Sequence, residues 1–200
     1  MRGYAGPMHC TVFDTPVVNT LLRAGSHGFM KLSGWRVEGS LPASARKCVL
    51  IAAPHSSNWD LPYTLMAAFV LRLNPYWMGK GSIFRPPFGA AMRWLGGIAV
   101  DRDQANNLVA ASAAALQAAE GPVQLIVPPQ GTRSQVAQWK TGFYFIAQTA
   151  GLPILLAYID YPNKRVGLGP PFQPSGDIER DMAQIKAFYA PMRGRRGEPV

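Results

Sequence analysis

Short unbroken apolar runs alternate along this chain with longer stretches in which apolar residues recur every three or four positions. The runs are Cys48 to Ala53 (CVLIAA), Val123 to Val127 (VQLIV) and Pro153 to Ile159 (PILLAYI). With no polar face, they predict strands covered on both sides, as in a parallel sheet between helices. Asn58 to Leu73 carries Leu61, Leu65, Phe69 and Leu73 at helical intervals, and alanine-rich Ala105 to Glu120 ends at the breaker Gly121-Pro122. Pro75 to Lys80 and Ile98 to Val100 predict two more strands. Between them a helix opens at Pro86-Pro87 and stops at Gly96-Gly97, glycine being the residue that tolerates a left-handed cap. A further helix ends near Gly151. Val166 to Phe172 reads as an edge strand limited by Gly and Pro, and Asp177 to Tyr189 as a last helix with Ile178, Met182 and Ile185 on one side.

Ahead of these elements, Phe13 to Trp35 mixes Val17, Val18, Leu21, Leu22, Phe29 and Leu32 with Arg23, His27 and Lys31. One or two amphipathic helices are expected, starting at Asp14 or Thr15 and interrupted near Gly25-Ser26. Such a basic, aromatic-bearing stripe suits a membrane interface as well as a core. The tail with Arg193, Arg195 and Arg196 is expected to be a solvated end. Strands alternating with helices at this spacing indicate an α/β fold: an αβ sandwich with a mostly parallel central sheet flanked by helices, over residues 45–190. An N-terminal amphipathic helical segment, residues 1–40, precedes it.

A length of 200 residues fits one domain, 1–200. The excess of 20 Lys+Arg over 11 Asp+Glu, net +9, favours anionic partners: phospholipid surfaces, phosphorylated substrates or nucleic acid. Nucleic acid is the poorest fit, since the basic residues are dispersed and not interleaved with aromatic ones. No apolar run reaches the roughly eighteen residues of a membrane-spanning helix, and Met1 to Cys10 lacks the apolar core of a secretory signal. Cys10 and Cys48 suggest neither a disulfide framework nor metal-ligand spacing, so a reduced cytoplasmic setting without metal or cofactor is expected.

The chemistry concentrates in Pro54-His55-Ser56-Ser57-Asn58-Trp59-Asp60, directly after the first apolar run. Residues five apart on one helix point about 140° away from each other, so His55 must lie outside the helix if it is to meet Asp60. With Ser57 or Asn58 as cap and Asp60 in the first turn, the carboxylate is favoured by the helix dipole and reaches back to the imidazole. It would then fix the ring and leave the other nitrogen free to take a proton, from a substrate hydroxyl if no protein nucleophile is used. Two other predicted strand ends carry polar clusters, Asp101-Arg102 and Gln130 to Ser134. Ligands collect beyond the carboxyl ends of such strands.

Over residues 48–160 these clusters resemble the blocks of the glycerol-phosphate and lysophosphatidate (lysophospholipid) acyltransferase family. His55-Ser-Ser-Asn-Trp-Asp60 is similar to its His-x4-Asp block, and Gly96-Gly-Ile-Ala-Val-Asp-Arg102 to its glycine-led strand ending in Arg. Pro129-Gln-Gly-Thr-Arg-Ser134 resembles Pro-Glu-Gly-Thr-Arg-Ser, and Leu152-Pro-Ile-Leu-Leu-Ala157 the apolar fourth block. Lys140-Thr141-Gly142 falls where the family tends to carry Lys-x-Gly.

The resemblance implies transfer of a fatty acyl group from acyl-CoA or acyl carrier protein to the hydroxyl of a lysolipid or glycerol-phosphate-type acceptor. His55 would be the base and Asp60 its orienting group. Asn58 belongs to the same block; Arg102 and Arg133 would hold phosphate, Gly131 and Thr132 would offer backbone N–H groups beside Ser134, and Lys80 and Lys140 are lesser phosphate contacts. A cytoplasmic protein resting on the anionic inner face of the cell membrane is implied. Leu61, Leu65 and Phe69 are expected in the acyl tunnel. Gln130 departs from the family's Glu: it keeps size and a hydrogen-bond acceptor but loses the charge. That leaves open a different acceptor, an impaired lipid-binding member, or a deliberate isosteric substitution. The rival class is a serine hydrolase or thioesterase using Ser56, Ser57 or Ser134, although no Gly-x-Ser-x-Gly elbow occurs.

Overall fold

The computed structural model describes residues 9–100, 105–130 and 139–200. The strands are β1 (Arg36–Glu38), β2 (Lys47–Ala53), β3 (Pro75–Lys80), β4 (Gly97–Val100), β5 (Val123–Ile126), β6 (Ile154–Asp160) and β7 (Arg165–Phe172). The helices are α1 (Pro16–Leu32), α2 (Asp60–Leu71), α3 (Gly89–Trp94), α4 (Ala105–Ala118), α5 (Gly142–Ala150) and α6 (Ile178–Tyr189). The strands form a seven-stranded sheet in the order β1-β7-β6-β2-β5-β3-β4. All its pairs are parallel except β6 with β7.

The apolar runs occupy the centre of the sheet because both of their faces are buried. Along β2, Val49, Ile51 and Ala53 pack with Leu116 of α4, Phe143 and Ile146 of α5, and Ile185 of α6. Cys48 and Leu50 pack on the other side with Ala68 and Phe69 of α2, as the two-residue alternation of a strand requires. Three layers result: α4, α5 and α6, then the sheet, then α2 with α1 stacked on it. Leu50, Ile51, Leu116 and Leu155 are among the largest fully buried side chains. At about 1.5–3 kcal/mol for each side chain removed from water, this centre is a main source of stability.

Several boundaries differ from the sequence-based expectation. Helix α1 runs without interruption through Gly25-Ser26. Gly25 lies on the outer surface, where an added Cβ would meet nothing within 4 Å, while Ser26 and Met30 are buried on the inner face. Of the two expected starts of α1, Thr15 is the observed N-cap, while Asp14 belongs to a separate 3-10 turn, Val12–Asp14, capped by Thr11. Strand β7 is not an edge, because β1 pairs with its outer side through Arg36, Val37 and Glu38. Gly96 joins α3 to β4 at φ +83, where a Cβ would lie 2.2 Å from the Pro75 carbonyl oxygen. Only glycine fits there.

Candidate active site

Strand β2 ends at Ala53, and a loop carries Pro54 to Trp59 across to α2. The cap of α2 is Trp59, with no side-chain cap bond, rather than Ser57 or Asn58. The physical reason lies in the first helical residue. Asp60 reaches backward, and its Oδ2 accepts the backbone N–H groups of Ser56 at 2.7 Å and Ser57 at 2.8 Å. Those donors belong to the loop ahead of the helix, so the carboxylate ties the loop to the first helical residue. The same oxygen is 3.1 Å from His55 Nδ1, and Tyr161 Oη donates to Oδ1 at 2.6 Å. Asp60 is 4% exposed. Burial alone would raise its pKa, but the bonds from His55, Tyr161, Ser57 and Ser56 outweigh burial and hold the carboxyl below its ordinary value. Tyr161, half-buried and bonded to that carboxylate, is pushed up and stays protonated.

An ionised carboxylate only accepts, so His55 Nδ1 carries the proton in this pair, and the neutral tautomer that this selects has its lone pair at Nε2. The backbone of His55 is fixed as well: its N–H donates to Gln130 Oε1 at 2.8 Å. Gln130 is 5% exposed and follows β5, the strand next to β2. Its role in the described structure is to pin the histidine loop through an acceptor that Gln and Glu share.

His55 and Asp60 border a cavity of about 890 Å³ that lies between α2 and the sheet and extends round the strand ends to α4 and α5. Its walls are mainly apolar, including Leu61, Leu65, Trp77, Met78, Val109 and Ile146, with Lys80 and Lys140 at its polar margin. Phe69, expected in this lining, instead packs under α2 against Phe13 and Leu50. Asn58 does not line the cavity; it faces a separate cleft with Ser56, Ser57 and Trp59. Arg102 and Gly131, Thr132, Arg133 and Ser134 lie outside the described residues.

Sequence reasoning missed Tyr161 and the tail. Tyr161 is 101 residues from Asp60, so no local pattern links them. Its position just past the carboxyl end of β6 was the available signal. The tail is not a free solvated end. Arg195 donates its backbone N–H to Ser56 Oγ at 3.1 Å and sets its guanidinium 5.3 Å over the Trp59 ring.

The acyltransferase family profile matches residues 34–160. The chain belongs to the acyltransferase family. Its fold is similar to the crystal structure of the 1-acyl-sn-glycerophosphate (LPA) acyltransferase PlsC from Thermotoga maritima. The TM-score is 0.59 at 18% identity, over 86% of this chain and 76% of that one. A comparison with curated proteins gives no match. As an acyltransferase-family chain, it places the His55–Asp60 pair inside the matched segment, while Tyr161 lies one residue beyond it.

Proposed function

We propose that this acyltransferase-family chain moves a fatty acyl group from the thioester of acyl-CoA or acyl carrier protein to the hydroxyl of a lysophospholipid or glycerol-phosphate-type acceptor. The observation that carries the reading is the placement of His55. One ring nitrogen is held by a buried carboxylate, and the ring borders an apolar cavity large enough for a small-molecule substrate.

In this reading Nε2 takes the proton of the acceptor hydroxyl as its oxygen bonds to the thioester carbonyl carbon. Asp60 stabilises the imidazolium that forms. The carbon–sulfur bond then breaks, the proton passes from His55 to the departing sulfur, and the products are an ester and a free thiol. The step requires no acyl-enzyme, metal or cofactor. Lys80 and Lys140 supply positive charge at the cavity margin for a phosphate of donor or acceptor. Membership of the acyltransferase family supports the acyl-transfer step, and the activity named for the Thermotoga maritima relative supports the acceptor class proposed here.

The serine-hydrolase alternative is disfavoured by hydrogen bonding. Ser56 Oγ accepts from the Arg195 backbone and Ser57 Oγ from the Trp59 backbone at 3.2 Å, and among the described residues, which exclude Ser134, neither shares a bond with the His55 ring. An impaired member is a poorer reading because Gln130 still holds the histidine loop.

Peripheral association with an anionic membrane suits α1. Val17, Leu21 and Leu32 share an outward stripe, 71, 68 and 90% exposed, flanked by His27 and Lys31. Among the described residues no helix is long and apolar enough to cross a membrane. Mass spectrometry of products from acyl-CoA and a mixed lysolipid panel tests the reading. Acylation of a phosphate-bearing acceptor is expected. Release of free fatty acid with no acylated lipid would contradict it.

A further inference from the structure

The loop that holds the base borders two cavities. His55 lines the apolar one; the next residues, Ser56 to Trp59, line a cleft of about 590 Å³ whose other wall is Arg195 and Arg196. We propose that this cleft binds a phosphate group of a substrate. The source of that phosphate rests on the acyl-transfer reading above; the existence of the anion site does not.

The far wall is built by the fold. Met192 is buried, Tyr161 donates its N–H to the Arg193 carbonyl at 3.2 Å, and Arg193 bridges to Pro199. Between them the chain turns tightly, with Gly197 at φ +81 donating to the Gly194 carbonyl. Arg195 and Arg196 occupy that turn. The stack on Trp59 and the backbone bond to Ser56 hold Arg195 against the loop.

Among the described residues the lining is rich in donors and holds no acid. Ser56 and Ser57 each use an oxygen lone pair on a backbone N–H, and among the described residues neither hydroxyl proton is given to an acceptor. Asn58 adds an amide. Among the described residues neither arginine has a carboxylate partner at its guanidinium. The nearby Glu198 accepts from the backbone N–H of Arg196 at 2.7 Å and is not part of the lining. The loop's own N–H groups at Ser56 and Ser57 are committed to Asp60, so recognition falls to side chains. Two planar, uncompensated guanidinium groups with hydroxyl donors match a phosphate dianion. Consecutive Cα atoms are about 3.8 Å apart, so an anion held at Ser56 lies close to the base at His55.

The test uses the full chain, with R195A/R196A and, as the conservative control, R195K/R196K. Calorimetric titration with sn-glycerol 3-phosphate reads the site without turnover. Saturable binding is expected, weakened about tenfold or more in the alanine pair and partly restored in the lysine pair, as loss of charge-assisted bonds requires.

Steady-state kinetics then assign the source. A raised KM for lysophosphatidate alone, with the KM for acyl-CoA and for uncharged monoacylglycerol unchanged, places the acceptor phosphate there. A raised KM for acyl-CoA alone places the donor phosphate there; either outcome supports the site. Binding in a wild type that transfers no acyl group would keep the site and reject the acyl-transfer reading. Titrations that match between wild type and alanine pair, or a wild type that binds no glycerol phosphate and variants that alter neither KM, would overturn it.

Discussion

Asp60 and Asp181 are built from the same parts. Both are buried in the first turn of a helix, both accept a tyrosine hydroxyl, and both accept backbone N–H groups from a preceding loop. Tyr144 Oη reaches Asp181 at 2.9 Å, much as Tyr161 reaches Asp60, and Ser175 donates through its N–H at 2.7 Å and its hydroxyl at 2.8 Å. For each, burial pushes the pKa up and these bonds pull it below the ordinary carboxylate value. The difference is the remaining partner. At Asp181 it is a serine hydroxyl whose oxygen accepts in turn only from the Asp177 backbone N–H; at Asp60 it is an imidazole that borders a cavity and whose second nitrogen has no partner among the described residues. A buried, well-bonded aspartate is a means of fixing structure, and it serves chemistry only when it fixes a group that can exchange a proton.

The comparison predicts that D60N lowers kcat about 10²- to 10⁴-fold, because the imidazole loses its orientation and its counter-charge. By contrast, D181A should keep kcat per folded molecule within about threefold and lose about 2–4 kcal/mol of stability, since Tyr144 and Ser175 are left with unpaired donors. Urea unfolding beside initial rates checks both. If D181A lost kcat as D60N does, the distinction between the two aspartates would fail.

Acid separates the same pair less sharply. A depressed folded-state pKa contributes stability that is present above the unfolded value and is lost as pH falls through the folded value. Wild-type urea midpoints should therefore hold near neutrality and fall below about pH 4, with a shallower fall in D181A. Y161F is the mildest test. It removes one of four donors from Asp60, and kcat should drop about three- to tenfold while the unfolding free energy falls by about 1 kcal/mol.

Much of this was legible in the chain. CVLIAA, VQLIV and PILLAYI announced central strands because a sheet covered on both faces needs no polar alternation. His55 and Asp60 were legible because their meeting is local, across one turn. Strand β1 was not, since three residues with charges at both ends, Arg36-Val37-Glu38, carry no periodicity. Gly25 suggested a break that packing of the opposite helix face overrides. Tyr161 and Arg195 were beyond reach, as their partners Asp60 and Ser56 lie 101 and 139 residues away.

The central claim is that His55 acts as the base on the acceptor's own hydroxyl. Its most direct test is acyl transfer from acyl-CoA to lysophosphatidate by wild type and H55A, with circular dichroism to verify the fold. The account predicts turnover in the wild type and a loss of at least about 10²-fold in a folded H55A. A folded H55A that turns over at the wild-type rate would contradict it.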